Sequence, residues 1–196
     1  MPVLEILVYP DPRLKQLSKR VEIIDDSLRE FISDLEETMR AQPGCVGIAA
    51  PQVGRFSRIA IVDVSFKPRI PSHGRLILIN PEILDREGEA IGREGCLSVP
   101  DYTGNVARAE RISLKATDEW GNERTYAMEG FEARAVQHEL DHFEGLLFLD
   151  RLTSGRKSLF RRKTGKNKTA MAPASNPPEK DPSLDRPVPK HFPADG

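Results

Sequence analysis

Residues 138–142 read His-Glu-Leu-Asp-His, a spacing that can hold a metal ion. On a helix, side chains four positions apart lie on one face, so His138 and His142 can bind the same ion. Glu139 lies beside that face, where its carboxylate can act on a water molecule. Phe131 and Ala135 share the stripe of the two histidines, which predicts that both imidazoles face the interior. The alternative is a surface helix with two solvated histidines.

A catalytic site of this kind needs three protein ligands, so two histidines are too few. Glu144 follows His142 by only two residues and is too close to reach the same ion, and the next histidine is His191. Cys96 remains, in the segment 94–98 that reads EGCLS, since a cysteine beside a glycine in a loop can bring a thiolate close to a metal. The alternative is that Cys96 is a small buried apolar residue, as most free cysteines are.

A third segment, residues 44–52, reads GCVGIAAPQ. Its glycines allow the backbone to approach a ligand closely. Gln52 offers a side-chain N–H donor that can stabilise a developing oxyanion. The alternative is an ordinary glycine-rich turn after a helix.

Two longer helices are predicted to position these segments. The first starts at the N-cap candidates Asp25, Asp26 and Ser27 and is ended by Pro43-Gly44. Its apolar residues recur at helical spacing and are Leu28, Phe31, Ile32, Leu35 and Met39. The second helix spans 130–143, with Gly145 at its C-cap, and a third, short helix is predicted near 154–163.

Strand-like segments lie between the two longer helices, and a turn at 120–122 is expected to join two of the strands. These segments are Ile59–Val64, Leu76–Ile79, Glu82–Leu84 and Arg111–Thr117. Since the strands are grouped rather than alternating with helices, the order favours an α+β fold over a βαβ arrangement.

The length of 196 residues predicts one domain followed by a tail. Seven of the 16 prolines lie after position 162, where apolar periodicity is absent. Such a segment buries too little surface to offset its ordering entropy, so 163–196 is predicted to be a disordered, proline-rich tail. The catalytic domain is assigned to 1–162.

The amino-acid composition argues against several classes of protein. A net charge of −1 argues against a DNA-binding protein, which usually carries a marked basic excess. Two cysteines cannot build a disulfide framework, which indicates a reducing compartment. There is no apolar run of the roughly 18 residues that a membrane span requires, and the first residues do not read as a secretory signal. We therefore expect a cytoplasmic protein that does not bind a membrane.

Taken together, the three segments resemble the three motifs of the peptide deformylase family. They are Val46–Gln52, Glu94–Ser98 and Gln137–His142, in the family's order and with similar spacing. The resemblance covers roughly residues 2–160 and leaves out the tail. One departure is visible, because the family's first motif usually begins Gly-x-Gly and the first of these glycines is replaced here by Cys45.

The resemblance implies a bacterial or organellar hydrolase that removes the formyl group from the N-terminal formylmethionine of nascent polypeptides. It implies an α+β fold whose antiparallel strands pack around the central H-E-x-x-H helix. It also implies one divalent ion held by Cys96, His138 and His142, natively Fe²⁺ in many members, with Zn²⁺ or Ni²⁺ also accepted. With three protein ligands, a fourth position remains for water.

The residues provide catalytic roles that fit this reaction. Glu139 is expected to take the proton of the attacking water and to pass it to the departing amine. The Gln52 side chain and the Leu97 backbone N–H are the candidate donors to the oxyanion. An exposed strand edge is expected to pair with the extended start of the peptide.

By resemblance, further residues are expected to bind the substrate. Val46, Phe131 and Ala135 line the pocket for the methionine side chain, and Glu94 and Arg134 lie near its rim. Gly47 is assigned to the same substrate site. Arg108 is a candidate partner of Glu94 that would hold the cysteine segment in place, and the alternative is a solvated strand arginine.

Two other classes of protein fit part of the pattern, a metallopeptidase and a non-enzymatic binder of nascent chains in which Cys45 is a fourth ligand of a structural metal. The missing downstream ligand argues against the first. Two further hypotheses concern an oxidative disulfide between Cys45 and Cys96, and a ribosome contact through the basic segment 156–168.

Overall fold

The computed structural model describes residues 3–162. The predicted tail 163–196 lies outside the described residues, so its boundary stays a prediction. The described chain holds two α-helices, α1 (Asp26–Arg40) and α2 (Gly130–Phe143). Its strands are β1 (Gly47–Ala49), β2 (Ile59–Val62), β3 (Leu76–Glu87), β4 (Ala90–Cys96), β5 (Val99–Arg108), β6 (Arg111–Thr117), β7 (Glu123–Glu129) and β8 (Leu159–Arg161). Short 3₁₀ turns span Pro12–Lys15, Ala50–Val53, Phe148–Arg151 and Gly155–Ser158. No helix in this part of the chain is long and apolar enough to cross a membrane.

Helix α1 starts and ends close to where the sequence predicted. The Asp25 carboxylate accepts the Leu28 N–H at 2.8 Å, which satisfies a donor that has no partner within the helix. Leu28, Ile32, Leu35 and Met39 are buried, so the predicted apolar stripe is confirmed.

A five-stranded antiparallel sheet in the order β1-β2-β3-β6-β7 separates two hydrophobic clusters. Because side chains alternate along a strand, Ile77 and Ile79 of β3 pack in the cluster of α1. Leu76 and Leu78 of the same strand pack in the cluster of α2. Strand β2 is buried at every position, which explains why it reads as a continuous apolar run.

A second antiparallel sheet, in the order β4-β5-β8, contains the cysteine segment. The sequence placed Cys96 in a loop, but Cys96 is the last residue of β4, where the register with β5 shifts between Gly95 and Cys96. Neither β4 nor β5 was predicted. The inward positions of β4 carry Glu94 and Cys96 while Ile91 is exposed, so the strand lacks the usual apolar alternation.

The short C-terminal helix predicted near 154–163 was wrong. Gly155 has a φ of 52°, which interrupts a helix, and the residues that follow form a single 3₁₀ turn. Leu159 and Phe160 then pair with Gly104 and Thr103 of β5. Sheet pairing therefore replaces the helical pattern.

The other predicted elements hold, with adjusted bounds. The first predicted strand ends at Val62 rather than Val64. The two short segments at 76–79 and 82–84 belong to the single strand β3, which is irregular near Asn80. Strand β6 matches its predicted bounds, and residues 118–122 form the turn between β6 and β7.

Gly145 fixes the end of α2 against the N-terminal segment. Its φ of 66° lies in the left-handed region, and a Cβ at this position would collide with the Lys15 carbonyl. Helix α2 is tied to the same segment by the Ser18 N–H, which donates to the Phe143 carbonyl at 2.8 Å.

We predict that Gly145→Ala lowers the free energy of unfolding by about 2–4 kcal/mol, because it combines an unfavourable φ with a backbone collision. Gly121→Ala is the matched control, since Gly121 has a φ of 86° but open space where a Cβ would lie. The control measures the free-energy cost of a positive φ at alanine without a collision, about 1 kcal/mol. Denaturant unfolding measures both variants, and equal losses would contradict the proposed collision.

Candidate metal centre

Helix α2 presents His138, Glu139 and His142, and all three side chains are buried. The imidazole rings of the two histidines lie one turn apart, with centroids separated by 5.2 Å and planes at 79°. The predicted bounds of this helix, 130–143, are confirmed. The histidines therefore face the interior, and the alternative of a solvated helix face is excluded.

Strand β4 brings Cys96 to the same place. Its Sγ lies 3.5 Å from His142 Nε2, and the ligand atoms of Cys96, His138 and His142 all lie within 4.8 Å of one another. Within residues 3–162, this is the one group of three such side chains close enough to hold an ion together. A thiolate and two imidazoles suit zinc and divalent iron, so the donor set fits a catalytic metal.

Cys45 does not belong to this group. Its Sγ donates a hydrogen bond to the Gly47 carbonyl at 3.1 Å, and burial raises the pKa of the thiol to about 12. A protonated thiol is a poor metal ligand. These contacts give no support to Cys45 as a fourth ligand.

Gln52 is held with its amide nitrogen facing the cluster. Its Oε1 accepts the Ala49 N–H at 2.9 Å, which leaves Nε2 directed to Cys96 Sγ at 3.3 Å and to Ser98 Oγ at 3.1 Å. The side chain is buried within the 3₁₀ turn Ala50–Val53. The arrangement presents an N–H donor beside the candidate metal ligands.

Glu139 has a buried oxygen, Oε2, with no hydrogen-bond partner among the described residues. Its other oxygen lies so close to β1 that a Cβ at Gly47 would be only 2.6 Å away. Only glycine leaves room for the carboxylate there. Burial raises the pKa of Glu139 to about 7, with His138 opposing the shift. A buried polar atom without a partner at this place fits a group that acts on water or substrate.

Glu94 connects β4, the ligand strand that carries Cys96, to α2, the ligand helix that carries His138 and His142. One of its oxygens contacts His138 Nδ1 at 2.9 Å, and Arg108 binds both oxygens, each at 2.9 Å. Burial alone would raise the pKa of Glu94, but hydrogen bonds from Arg108 and His138 hold it well below its usual value. Burial likewise would lower the pKa of His138, but hydrogen bonds with Cys96 and Glu94 raise it. The predicted pairing of Arg108 with Glu94 is present in the structure.

Asp141 provides the second half of this network. Arg108 Nη1 contacts its carboxylate at 2.5 Å, and Arg151 binds the same carboxylate through two nitrogens at 2.6 and 2.7 Å. Asp141 and Arg151 were missed in the sequence. Asp141 lies inside the H-E-x-x-H motif itself, where an acidic residue on an inward face was the available signal.

A cavity of about 240 Å³ opens onto the cluster. It is lined by eleven of the twelve residues proposed from sequence, and His142 lies behind them in the ligand group. The eleven are Val46, Gly47, Gln52, Glu94, Cys96, Leu97, Phe131, Arg134, Ala135, His138 and Glu139. The structure also places three cationic residues on the lining that the sequence did not indicate as site residues, Lys67, Arg93 and Arg162.

A helix carrying H-E-x-x-H, a third ligand from a strand and an open cavity define the class of metal-dependent hydrolases. The family model for polypeptide deformylase matches residues 3–158. The chain belongs to the peptide deformylase family. Enzymes of this family remove the formyl group from the N-terminal methionine of polypeptides, and membership assigns that reaction to this chain.

Relatives and solved structures support the assignment. A peptide deformylase from Alkalilimnicola ehrlichii is 46% identical over 167 residues, which cover 85% of this chain and 91% of the relative. The crystal structure of the Thermotoga maritima peptide deformylase has a TM-score of 0.72 at 36% identity, covering 78% of this chain and 99% of that one. The Ehrlichia chaffeensis enzyme in complex with actinonin has a TM-score of 0.73 at 39% identity, with 78% and 90% coverage.

We predict that Arg108→Leu lowers the free energy of unfolding by about 3–5 kcal/mol, because two buried carboxylates lose their shared cation. Arg111→Leu is the matched control, since Arg111 pairs with Glu87 on the surface and both side chains are exposed. Its loss costs at most about 1 kcal/mol. Denaturant unfolding distinguishes the two variants, and a small effect of Arg108→Leu would contradict the structural role of the network.

Proposed function

We propose that Cys96, His138 and His142 bind one divalent ion and that the residues around it hydrolyse the formyl amide of formylmethionyl peptides. The mutual approach of the three ligand atoms, within 4.8 Å, is the observation that carries the proposal. We infer Fe²⁺ as the native ion, with Zn²⁺ or Ni²⁺ as substitutes, because a mixed sulfur and nitrogen site accepts all three. When bound, the ion supplies Lewis acidity, which lowers the pKa of water and polarises the formyl carbonyl.

Glu139 moves the proton. Its Oε2 has no hydrogen-bond partner among the described residues and its Oε1 lies against Gly47, so we place the water that attacks the formyl carbon beside this carboxylate, which deprotonates it. The same carboxyl then delivers the proton to the methionine nitrogen as the carbon–nitrogen bond breaks. Formate and a free amine are the products, and Glu139 returns to its starting state.

Gln52 and Leu97 stabilise the oxyanion. The Gln52 amide is oriented by its bond to Ala49, so Nε2 faces the ligand cluster, where the developing oxyanion can replace Cys96 Sγ or Ser98 Oγ as its acceptor. Leu97 lies between Cys96 and Ser98 on the cavity lining, and its backbone N–H is the second proposed donor.

The methionine side chain occupies the apolar part of the cavity, against Val46, Phe131 and Ala135. Glu94 and Arg134 form an ion pair with each other at 2.9 Å, so we propose that they shape the rim without binding substrate charge. The order β4-β5-β8 leaves β4 at the edge of its sheet. An extended peptide pairs there through main-chain hydrogen bonds, with Gly47 on the facing wall, and this mode tolerates many sequences.

Four broader predictions also belong to this proposal. We place α2 at the centre of the fold, since it packs against β1, β2, β6 and β7. We place the enzyme in the cytoplasm of a bacterium, as its named relatives are bacterial. Ribosome docking through 156–168 stays a prediction. Of its basic residues, Arg156 and Lys157 lie on a 3₁₀ turn and Arg161 on a strand, while residues 163–168 lie outside the described part of the chain. The disulfide between Cys45 and Cys96 also stays a prediction.

Glu139→Ala is expected to reduce formate release from formyl-Met-Ala-Ser on the order of 10²–10⁴-fold, because proton transfer is lost. Metal content should be unchanged, since Glu139 is not a ligand. Glu144→Ala is the control, because Glu144 lies at the exposed end of the same helix. A Glu139→Ala enzyme with more than about a tenth of the normal rate would show that the proton takes another route.

Cys96→Ser is expected to retain roughly a tenth or less of the bound metal after dialysis, since a hydroxyl stays protonated where a thiol ionises. Cys45→Ser is the matched control and should keep its metal, because Cys45 hydrogen-bonds to Gly47. Elemental analysis of both proteins gives the metal content. Full occupancy in Cys96→Ser would remove Cys96 from the ligand set.

A further inference from the structure

The cavity mouth carries three cations, Lys67, Arg93 and Arg162. None of the three forms an ion pair with a carboxylate of residues 3–162. Arg134, on the same lining, differs from them in forming an ion pair, with Glu94 at 2.9 Å. The mouth therefore has a positive charge that the described part of the chain does not balance.

Arg93 is held in a fixed position by neutral groups. Its guanidinium lies 3.5 Å from the centroid of the Phe160 ring. Its Nε donates to Asn105 Oδ1 at 3.0 Å and its Nη1 to Thr103 Oγ1 at 3.3 Å. These contacts fix the position of the guanidinium without neutralising its charge, so less conformational entropy is lost when an anion binds.

Arg162 reaches the mouth because β8 joins the sheet. Its backbone N–H donates to the Asp101 carbonyl at 2.7 Å, which continues the β8 pairing by one residue. Arg162 Nη2 lies against Gly95, so the guanidinium crosses β4 at this residue. Gly95 immediately precedes the ligand Cys96, and the cation therefore lies close to the reacting end of the cavity.

Lys67 approaches from the segment between β2 and β3. Its Nζ lies 5.2 Å from the centroid of the Phe131 ring, which belongs to the apolar wall. The lysine thus flanks the pocket from an element other than the sheet that carries the two arginines. Cations gathered around one opening raise the local concentration of anions.

We propose that this rim selects formylmethionyl peptides with aspartate or glutamate among the first few residues after the methionine. The inference rests on the proposed function, in which the methionine side chain fills the apolar pocket and the rest of the peptide leaves along β4 and across the rim. Carboxylates are the matching ligands, because a guanidinium binds both of their oxygens in one plane.

The first experiment compares peptides with formyl-Met-Ala-X-Ser and formyl-Met-X-Ala-Ser sequences, where X is Glu, Gln or Lys. All peptides are amidated, so that the only carboxylate is at X. With the metal-loaded enzyme, kcat/KM should be about three- to tenfold higher for Glu than for Gln at one of the positions, as one or two partly exposed ion pairs would give. Lys should be the poorest. The preference should shrink between 0.05 and about 0.5 M salt, because ions screen exposed charges.

Charge reversal identifies the residues responsible. Arg162→Glu should invert the Glu-to-Lys ratio of kcat/KM, and Arg93→Gln should lower it. Arg161→Glu is the matched control, since Arg161 is exposed, precedes Arg162 and is absent from the cavity lining. It changes the net charge equally and should leave the ratio as in the unmodified enzyme. Circular dichroism of each variant confirms that the ratio reports a folded protein.

The outcomes separate the two proposals. Equal kcat/KM for Glu, Gln and Lys peptides in the unmodified enzyme would overturn the charge preference while leaving deformylation intact. A ratio that changes as much in Arg161→Glu as in Arg162→Glu would also overturn it, since only net charge would then matter. Absence of formate from every peptide would instead refute the proposed function.

Discussion

The buried guanidinium of Arg108 is the contact on which the site depends. It binds Glu94 of the ligand strand and Asp141 of the ligand helix at once. Buried charges are expensive to desolvate, so such an arrangement is stable only when every member is paired. Here each carboxylate has two or more partners. Besides Arg108, Glu94 contacts His138 and Arg134, and Asp141 contacts Arg151. The network joins β4 to α2 and fixes how the cysteine faces the histidines.

This rigid framework surrounds a carboxyl oxygen that has no hydrogen-bond partner among the described residues and an amide donor that faces the ligand cluster. Glu139 Oε2 is buried and unsatisfied, and the Gln52 amide presents its N–H group beside the ligand cluster. Glycine at position 47 keeps space for the carboxylate. The unsatisfied oxygen of Glu139 is therefore an atom of this site that a substrate or a water molecule can satisfy. The open cavity and the rim then determine which peptides reach the site.

The sequence predicted helices α1 and α2 and the grouping of Cys96 with His138 and His142. The helical stripe of α1 and the i, i+4 pair of α2 are local patterns, and Cys96 was found by elimination. Strand β4 was missed because its inward positions carry Glu94 and Cys96 instead of apolar residues. The C-terminal segment was predicted to be a helix, whereas Leu159 pairs with Gly104, more than fifty positions earlier. Such a contact between distant segments has no local signature in the sequence.

The most direct test of the account measures formate and metal on the same sample, purified without oxygen. Formyl-Met-Ala-Ser is the substrate, and acetyl-Met-Ala-Ser is the control for amide cleavage in general. We expect about one divalent ion per chain, as the one three-ligand site found among residues 3–162 requires, with formate release rising in proportion to metal content and falling away on chelation. Metal-free protein that releases formate at the full rate would contradict it, as would fully loaded protein that releases none.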